Sequence, residues 1–381
     1  MTGTSEPIGT AVPAATAAPV GGPRWAKVCI VLGAVLALGS AGALVAVQGL
    51  THRYEGAVHR DTLLAPQARP TTAPERGSTL TSSVTGPLNF LLIGSDYRVD
   101  LPGDGQRSDT IIIAHVPRTL DRAYLISIPR DLLVRIPPFP QTSYRGGQGK
   151  INGAFRFGGP QLLSATLTEL IGIRFNGAAI VNFEGFRTAV DVLGGVYLCV
   201  DRTVASNHLG VDRNGRILQL WADESGRIQD IPPGGRPYVF EKGCQRMNGM
   251  VALDYARLRY GLPGGDYDRQ RHQQQFLKAV FQEATRAGVL TNPIKLDEFL
   301  RAVGSSLTVD TGEVGLADLV FGLRNVTPSR LVGVKVPSEP RTISGVSYVV
   351  ALAEAQSLYQ AIREDTLEEW ITAHPGWVER L

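Results

Sequence analysis

The sequence has few charged residues, almost no excess of either sign and no internal repeat, and these shortages exclude several classes of protein. Only 19% of its 381 residues are charged, the formal net charge is +3, and 43% of the residues are hydrophobic. This balance describes a globular chain and not a disordered one. So small a net charge is no argument for a nucleic-acid partner. A chain of 381 residues suffices for one large domain or two of ordinary size.

The N-terminal part of the chain consists of three segments that differ in composition. Residues 1–25 hold almost no large apolar side chain, which predicts a disordered cytoplasmic tail. Residues 26–50 carry no charge after Lys27 and are long enough for a transmembrane helix. A cleaved signal peptide is the alternative, but its apolar core spans only about 7–15 residues. Residues 51–86, rich in Thr, Ser, Pro and Ala, are typical of a linker.

Two basic residues flank each side of the apolar run, so the positive-inside rule leaves its orientation open. They are Arg24, Lys27, Arg53 and Arg60. The chemistry expected of residues 87–381 places this domain outside the cytoplasm, on a single-pass anchor in the cell membrane.

From residue 87 onward, short apolar runs alternate with longer segments of helical periodicity. The runs are rich in β-branched residues and bounded by Gly, Pro and Asp, which predicts strands. The predicted strands are 89–94, 110–116, 123–128, 195–200 and 330–336, and the predicted helices are 160–171, 184–193 and 349–363. This alternation indicates an α/β fold, a sheet with helices packed on its faces.

Charged residues cluster where the first three predicted strands begin or end. Short connections favour a meander, in which the end of the first strand, the start of the second and the end of the third share one edge. Those places carry, in order, Asp96 and Arg98, then Arg107 and Asp109, then Arg130. One charged loop residue is usually only solvated, but three clusters at equivalent ends predict a common site.

Carboxylates and arginines together suit a diphosphate bound with a metal ion. Mg²⁺ is typically held by one or two carboxylates, with phosphates and water completing its shell. Asp96 and Asp109 provide the carboxylates, and guanidinium groups bind phosphate oxygens in bidentate fashion. The sequence therefore predicts a diphosphate that bridges Mg²⁺ and several arginines.

Further polar residues follow in two downstream helices. Residues 248–256 predict a helix that ends near Arg257, and Arg257 and Arg259 point the same way if the chain is extended there. The core-facing stripe of the next helix, which Asp266 can cap, continues back to Gln273 and Arg269. Polar residues at the start of such a stripe predict a lined cavity, and the alternative is an exposed first turn.

Seven motifs resemble, in order and spacing, those of the LytR-CpsA-Psr family of Gram-positive cell-wall enzymes. They are NFLLIGSDYR (89–98), RSDTIIIAHV (107–116), LISIPRDLLV (125–134), KINGAFRFGG (150–159), VNFEGFRTAVDVLGGV (181–196), MNGMVALDYARLR (247–259) and GGDYDRQRHQQQFL (264–277). The core motifs cover 88–285, and 286–381 looks like the family's C-terminal extension. The resemblance implies a mixed central sheet flanked by helices and a hydrophobic channel for a polyprenyl chain. It also implies transfer of a glycopolymer phosphate from polyprenyl pyrophosphate to peptidoglycan.

The resemblance also implies a role for each motif residue. The Mg²⁺ ligands would be Asp96 and Asp109. The catalytic residues would be Arg107, Asp109, Arg130, Arg257 and Arg259, and the pyrophosphate-binding residues Arg98, Lys150, Arg269 and Gln273. One departure stands in the last motif, where His272 replaces the family's second arginine and Arg271 lies one position off.

Cys199 and Cys244 could form a disulfide if the domain lies outside the cytoplasm. The alternative is a pair of unrelated buried thiols. The two cysteines resemble a pair found in actinobacterial members of the family, which favours the disulfide.

Three other functions compete with the phosphotransferase. A pyrophosphatase would hydrolyse the lipid-linked substrate, and a non-enzymatic lipid-carrier binding module would tolerate loss of Asp96. A transcriptional regulator is disfavoured, because the sequence has no helix-turn-helix with a basic recognition face.

Overall fold

The structure is a computed structural model that describes residues 58–70, 86–95, 108–223, 226–312, 319, 322–379 and 381. The predicted tail and transmembrane helix lie outside these residues, as do Asp96, Arg98 and Arg107 of the predicted site. Among the helices that are described, none combines the length and the apolar character needed to cross a membrane.

A central sheet of eight strands forms the middle layer of the domain. In spatial order its strands are β1 (His59–Arg60), β13 (Leu307–Asp310), β7 (Gly177–Val181), β2 (Leu88–Ser95), β3 (Ser108–Val116), β4 (Ala123–Ser127), β14 (Leu331–Lys335) and β17 (Val378–Glu379), numbered in chain order. The pairs β1–β13, β7–β2 and β4–β14 are parallel, and the other neighbours are antiparallel. The sheet is therefore mixed, and β2, β3 and β4 form the predicted meander.

Helices pack on both faces of this sheet. They are α1 (Ile151–Ile171), α2 (Phe183–Val192), α3 (Gly249–Arg257), α4 (Asp266–Arg286), α5 (Pro293–Val303), α6 (Glu354–Glu364) and α7 (Leu367–Ala373). Successive side chains of a strand point to opposite faces. Leu91 and Ile111 accordingly join a core with α1 and α6, whereas Leu92 and Ile112 face a cavity beside α2, α3 and α4.

Shorter strands form hairpins and small sheets beside the central one. They are β5 (Leu133–Ile136), β6 (Gly147–Lys150), β8 (Val196–Val200), β9 (Val204–Val211), β10 (Ile217–Gln219), β11 (Arg236–Phe240), β12 (Gly243–Met247), β15 (Ser338–Ile343) and β16 (Val346–Ala351). In the ribbon of β8 and β12, Cys199 and Cys244 lie opposite each other and form the predicted disulfide. Both cysteines are exposed, so the alternative of two buried thiols is wrong.

The domain begins before residue 87, the boundary predicted from composition. Strand β1 pairs with β13, and Leu63 and Leu64 are buried in the main core. Their backbone N–H groups donate to Asp310 Oδ2 at 2.9 and 3.0 Å. Residues 58–70 therefore belong to the folded domain. The linker prediction is wrong over this stretch, because a composition of small and polar residues does not indicate that two of its leucines are buried in the core.

Helix α1 begins at Ile151, well before the predicted start at residue 160. The helix is kinked, because Gly158 and Gly159 have non-helical backbone angles directly before Pro160. Glycine and proline are strong breaking signals in a sequence. For this reason the first half of this helix was not predicted.

The closing helix predicted at 349–363 is wrong over its first five residues, 349–353. Strand β16 extends through Ala351, and α6 begins at Glu354. β16 pairs with β15 across a two-residue turn of Ser344 and Gly345, whose φ angles are 50° and 81°. Positive φ at both central residues is the geometry that suits a tight hairpin.

Candidate active site

A cavity of about 600 Å³ lies between the central sheet and helices α2, α3 and α4. Its apolar lining includes Leu92, Ile112, Phe183, Phe186, Phe276 and Val280. Its charged and polar lining includes Asp109, Arg130, Arg257, Arg259, Arg269 and Gln273. Residues predicted from three separate parts of the sequence therefore meet in one cavity, where a cationic wall adjoins an apolar one.

Arg130 is the centre of the ionic contacts at the sheet edge. Its Nη1 donates to Asp109 Oδ1 at 2.6 Å, and its Nε lies 3.6 Å from Asp131 Oδ2 and 3.8 Å from Asp266 Oδ1. Burial lowers the pKa of Arg130, but the charges of these three carboxylates outweigh burial and hold it above the ordinary value. Asp109 and Arg130 meet as predicted, because β3 and β4 are antiparallel neighbours.

Arg269 is only 5% exposed and lies in the first turn of α4. Its Nη2 is 2.7 Å from Asp266 Oδ1, and its Nη1 donates to the backbone carbonyl of Asp109 at 2.9 Å. Burial lowers the pKa of Arg269, and the charge of Asp266 opposes this effect. Gln273 lines the cavity one turn later, so the lined cavity is confirmed and the exposed first turn is wrong. Gly265 occupies the N-cap, and the prediction that Asp266 caps the helix is wrong.

Arg257 and Arg259 approach the cavity from the end of α3. The helix ends at Arg257 because Leu258 is extended, with φ −58° and ψ 131°. Both arginines line the cavity, as predicted. The Arg257 guanidinium lies 4.4 Å from the centroid of the Phe183 ring, and Arg259 Nη2 donates to Tyr260 Oη at 2.6 Å. Within the described residues neither arginine pairs with a carboxylate, so both charges are available to an anion.

Lys150 does not line the cavity. Its Nζ is 3.0 Å from Asp131 Oδ1 and 5.8 Å from the centroid of the Tyr348 ring. Because Asp131 also lies beside Arg130, Lys150 is connected to the site through a chain of ion pairs. The structure thus brings Lys150 near the site but not into contact with its cavity.

The departure at His272 places a neutral ring where the family motif has an arginine. His272 is fully buried, and its ring stacks on Tyr255 with centroids 4.1 Å apart. Burial lowers the pKa of His272 to about 4. Arg271 Nη2 lies 2.7 Å from Asp201 and 3.1 Å from Asp268. Arg271 therefore does not replace the missing arginine in the cavity.

Asp109 could provide a carboxylate ligand for Mg²⁺ in this cavity. Its side chain is 40% exposed and lines the cavity beside the arginines, so a hard oxygen ligand is available. The second predicted ligand, Asp96, lies outside the described residues. In the part of the chain that the structure describes, no group of three or more His, Cys, Asp or Glu is arranged to hold a metal.

The polar residues of the cavity wall that were not predicted as site residues include Asn207, His208 and Asp223. Asn207 and His208 belong to β9, and Asp223 follows it along the chain. None of them lies in one of the seven motifs. The partner of His208 is Asp254, whose carboxylate lies 3.0 Å from its Nδ1 although 46 residues separate them. No local spacing could have indicated this pair.

The model of the LytR_cpsA_psr family matches residues 56–364 of this chain. The chain belongs to the LytR-CpsA-Psr family. The match begins close to Val58, in agreement with the folded segment 58–70 that precedes the predicted boundary.

Two relatives illustrate how the chain compares with other LytR-CpsA-Psr proteins. It is 31% identical over 241 residues to the probable cell wall biosynthesis protein LcpB of Corynebacterium glutamicum. The aligned residues make up 60% of this chain and 50% of LcpB. It is 28% identical over 316 residues to the polyisoprenyl-teichoic acid–peptidoglycan teichoic acid transferase TagU of Oceanobacillus iheyensis. This alignment covers 80% of this chain and 84% of TagU. The chain thus spans about half the length of LcpB.

Solved structures share the fold. TagV of B. subtilis aligns with a TM-score of 0.56 and 20% identity, covering 74% of this chain and 98% of TagV. TagT bound to LI-WTA aligns with a TM-score of 0.54 and 20% identity, covering 80% of this chain and 97% of TagT. At this identity the likeness establishes the α/β fold with its mixed central sheet and flanking helices.

Proposed function

We propose that this protein is a phosphotransferase that moves a glycopolymer from a polyprenyl-pyrophosphate carrier to peptidoglycan during cell-wall assembly. The observation that carries the proposal is the cavity in which an apolar wall adjoins Asp109 and four arginines. Membership of the family supports it, as do relatives named as a cell wall biosynthesis protein and a teichoic acid transferase.

The apolar wall suits the prenyl chain of the carrier. Phe186 and Phe276 stack with ring centroids 3.6 Å apart, and Leu92 and Ile112 close the cavity from the sheet. Burial of each CH₂ group contributes about 0.8 kcal/mol. The prenyl chain therefore provides affinity that does not depend on the phosphates.

The arginines suit the diphosphate. Arg257 and Arg259 have no carboxylate partner among the described residues, and Arg130 is held in place by Asp109. The acceptor hydroxyl attacks the phosphorus on the glycan side, the bridging P–O bond breaks, and polyprenyl phosphate leaves. The guanidinium groups stabilise the negative charge that grows on the leaving phosphate.

Mg²⁺ is the cofactor that we propose for this reaction. Asp109 would hold the ion together with Asp96, which lies outside the described residues. Carboxylate oxygen is the ligand that Mg²⁺ prefers, and the bound ion would neutralise charge on the diphosphate.

The same proposal places the domain at the outer face of the cell membrane. Residues 26–50 would form the single transmembrane helix and residues 1–25 the cytoplasmic tail. The exposed disulfide of Cys199 and Cys244 supports an oxidising location.

The test incubates the full-length protein in detergent with labelled lipid-linked oligosaccharide, peptidoglycan and Mg²⁺. We expect the label to appear on peptidoglycan, with release of polyprenyl phosphate. Release of free glycan phosphate, whether or not peptidoglycan is present, would instead indicate a pyrophosphatase. Binding without any product would indicate a carrier-binding module.

Substitution of Asp109 separates catalysis from binding. Asp109→Ala should abolish Mg²⁺-dependent turnover, because it removes the carboxylate at the diphosphate. Geranylgeranyl pyrophosphate should still bind through its apolar tail, which calorimetry can measure. Full turnover by Asp109→Ala would remove Asp109 and its metal ion from the proposed mechanism.

A further inference from the structure

Asn207 and His208 line the same cavity from strand β9, which packs against α3. His208 Nδ1 lies 3.0 Å from Asp254 Oδ1, and Asp254 is only 4% exposed. Ser206 Oγ donates to the other carboxylate oxygen, Oδ2, at 2.5 Å. The buried carboxylate is therefore fixed on one side by Ser206 and holds the His208 ring on the other.

The contact with Asp254 determines which nitrogen of His208 carries a proton. A carboxylate accepts hydrogen bonds, so Nδ1 is the protonated nitrogen and Nε2 presents a lone pair. Among the described residues, Nε2 has Asn207 Nδ2 as a neighbour at 3.5 Å, a distance at which a hydrogen bond is weak. Nε2 is thus available to a ligand that donates a proton.

Asn207 provides a second, independent observation. Its side chain is 6% exposed, and within the described residues its buried Oδ1 has no hydrogen-bond partner. Buried polar atoms are nearly always paired, so this oxygen points to a ligand with a donor group. A sugar with neighbouring hydroxyl groups would satisfy both Asn207 Oδ1 and His208 Nε2.

The two residues line the same cavity as the arginines. Asp254 and Arg257 are three residues apart on α3, and residues at this spacing are neighbours on a helix surface. Arg257, Arg259 and Asp223 line the same cavity as His208. An acceptor sugar at His208 would therefore lie beside the diphosphate that the arginines bind.

We propose that His208 is the general base of the transfer and that, with Asn207, it binds the acceptor sugar hydroxyl; Asp254 is a positioning residue. This inference rests on the proposed function. The acceptor oxygen forms a bond to the glycan-side phosphorus while its proton passes to His208 Nε2. The bridging P–O bond breaks, and its electron pair leaves with polyprenyl phosphate. Asp254 stabilises the imidazolium, which then returns its proton to water.

The decisive variant is His208→Asn. Its amide nitrogen can reproduce the donation from Nδ1 to Asp254, so β9 stays tied to α3 while the base is lost. We expect kcat for transfer to peptidoglycan to fall about 10²–10⁴-fold, with the affinity for geranylgeranyl pyrophosphate unchanged. The fall of kcat toward acidic pH that a general base causes should also disappear. Added imidazole should restore part of the activity of His208→Gly.

Ser206→Ala is the matched variant for a merely structural role. It removes the hydrogen bond to the same carboxylate and the acceptor of the His208 and Leu209 backbone N–H groups without changing the imidazole, so it should lower the melting temperature and keep the pH profile. Equal loss of kcat in Ser206→Ala and His208→Asn, with the acid-side fall retained in both, would overturn the assignment. A kcat of the His208→Asn variant equal to that of the unaltered protein would overturn it as well. Failure of the unaltered protein to transfer label would overturn the proposed function itself.

Discussion

At Arg130, three carboxylates surround one guanidinium, and substitution of this residue tests the anion site directly. Arg130→Ala should weaken the binding of geranylgeranyl pyrophosphate about 10–100-fold, because a hydrogen bond to a charged group contributes about 1.5–3 kcal/mol. Arg130→Lys should recover little of this loss, since an ammonium cannot reproduce the planar fork of guanidinium. Calorimetric titration of both variants measures the effect.

Arg271 provides the matched control for Arg130. It pairs with Asp201 and Asp268 and does not line the cavity, so Arg271→Ala should leave the affinity for geranylgeranyl pyrophosphate unchanged. Equal weakening in Arg271→Ala and Arg130→Ala would show that general loss of positive charge, and not contact in the cavity, controls binding.

His272 makes the stability of the domain depend on pH. Burial lowers its pKa from 6.5 to about 4, so below pH 6.5 the unfolded chain binds a proton that the folded chain excludes. The folded state therefore loses stability as pH falls from 6.5 to 4, by about 3 kcal/mol in all. His272→Phe, which can keep the stacking on Tyr255, should flatten this part of the pH dependence.

Urea unfolding of the His272→Phe variant at pH 7 and at pH 4.5 measures this change. His59→Gln at an exposed position is the control and should retain the natural pH dependence. If the His272→Phe variant loses as much stability as the unaltered protein between the two pH values, other groups cause the acid sensitivity.

Residues at strand ends were predictable from the sequence, and residues paired across the fold were not. Asp109 and Arg130 adjoin β-branched runs, so a simple meander was enough to bring them together. His208 and Asp254 meet only because β9 packs on α3, a contact between distant segments that leaves no local pattern. Tertiary packing and not local preference determines such pairs.

At the level of elements, the ribbon of β8 and β12 depends on its disulfide. Cys199 and Cys244 close a loop across a sequence separation of 45 residues, and a native disulfide typically contributes about 2–5 kcal/mol. Reduction should therefore lower the melting temperature, and mass spectrometry without reductant should find the two cysteines linked. Cys29→Ser is the control, because Cys29 takes no part in the disulfide. Two free thiols in secreted protein would contradict the pairing.

Elements were predictable where local composition and tertiary structure agree. Strands β2, β3 and β4 are continuous apolar runs, and the sequence identifies each of them within two residues. The first half of α1 was not predicted, because the kink at Gly158 and Gly159 interrupts the helical pattern. Strand β16 was not predicted, because its apolar residues continue toward α6 without a glycine or proline that separates the two elements. Only its pairing with β15 identifies it as a strand.

At the scale of the whole molecule, the sheet separates a structural core from a functional cavity. Leu91 and Ile111 pack beneath α1 and α6, while the neighbouring Leu92 and Ile112 face the cavity under α2, α3 and α4. The period of two along each strand thus places Leu91 and Ile111 in the core and Leu92 and Ile112 in the cavity wall. Substitutions at Leu92 should act on lipid affinity more than on folding.

The N-terminal boundary of the domain gives a prediction for the whole chain. Deletion of residues 1–52 should release a soluble domain that keeps its fold, since residues 58–70 remain. Deletion of residues 1–70 removes Leu63 and Leu64 from the core, at a cost of about 3–6 kcal/mol for two buried leucines. It also leaves the buried Asp310 without Arg69, whose Nη2 lies 2.5 Å away.

Such a loss is comparable to the whole stability of many domains, about 5–15 kcal/mol, so the shorter protein should melt at a much lower temperature or aggregate. Circular dichroism and size-exclusion chromatography of the two truncated proteins provide the comparison. Equal melting temperatures would show that residues 58–70 are dispensable and would restore a boundary near residue 87. Aggregation of the longer protein would instead show that the fold requires residues before position 53. The melting temperature of the single variant Asp310→Ala should lie between those of the two truncated proteins. This substitution releases the backbone of Leu63 and Leu64 without removing their side chains.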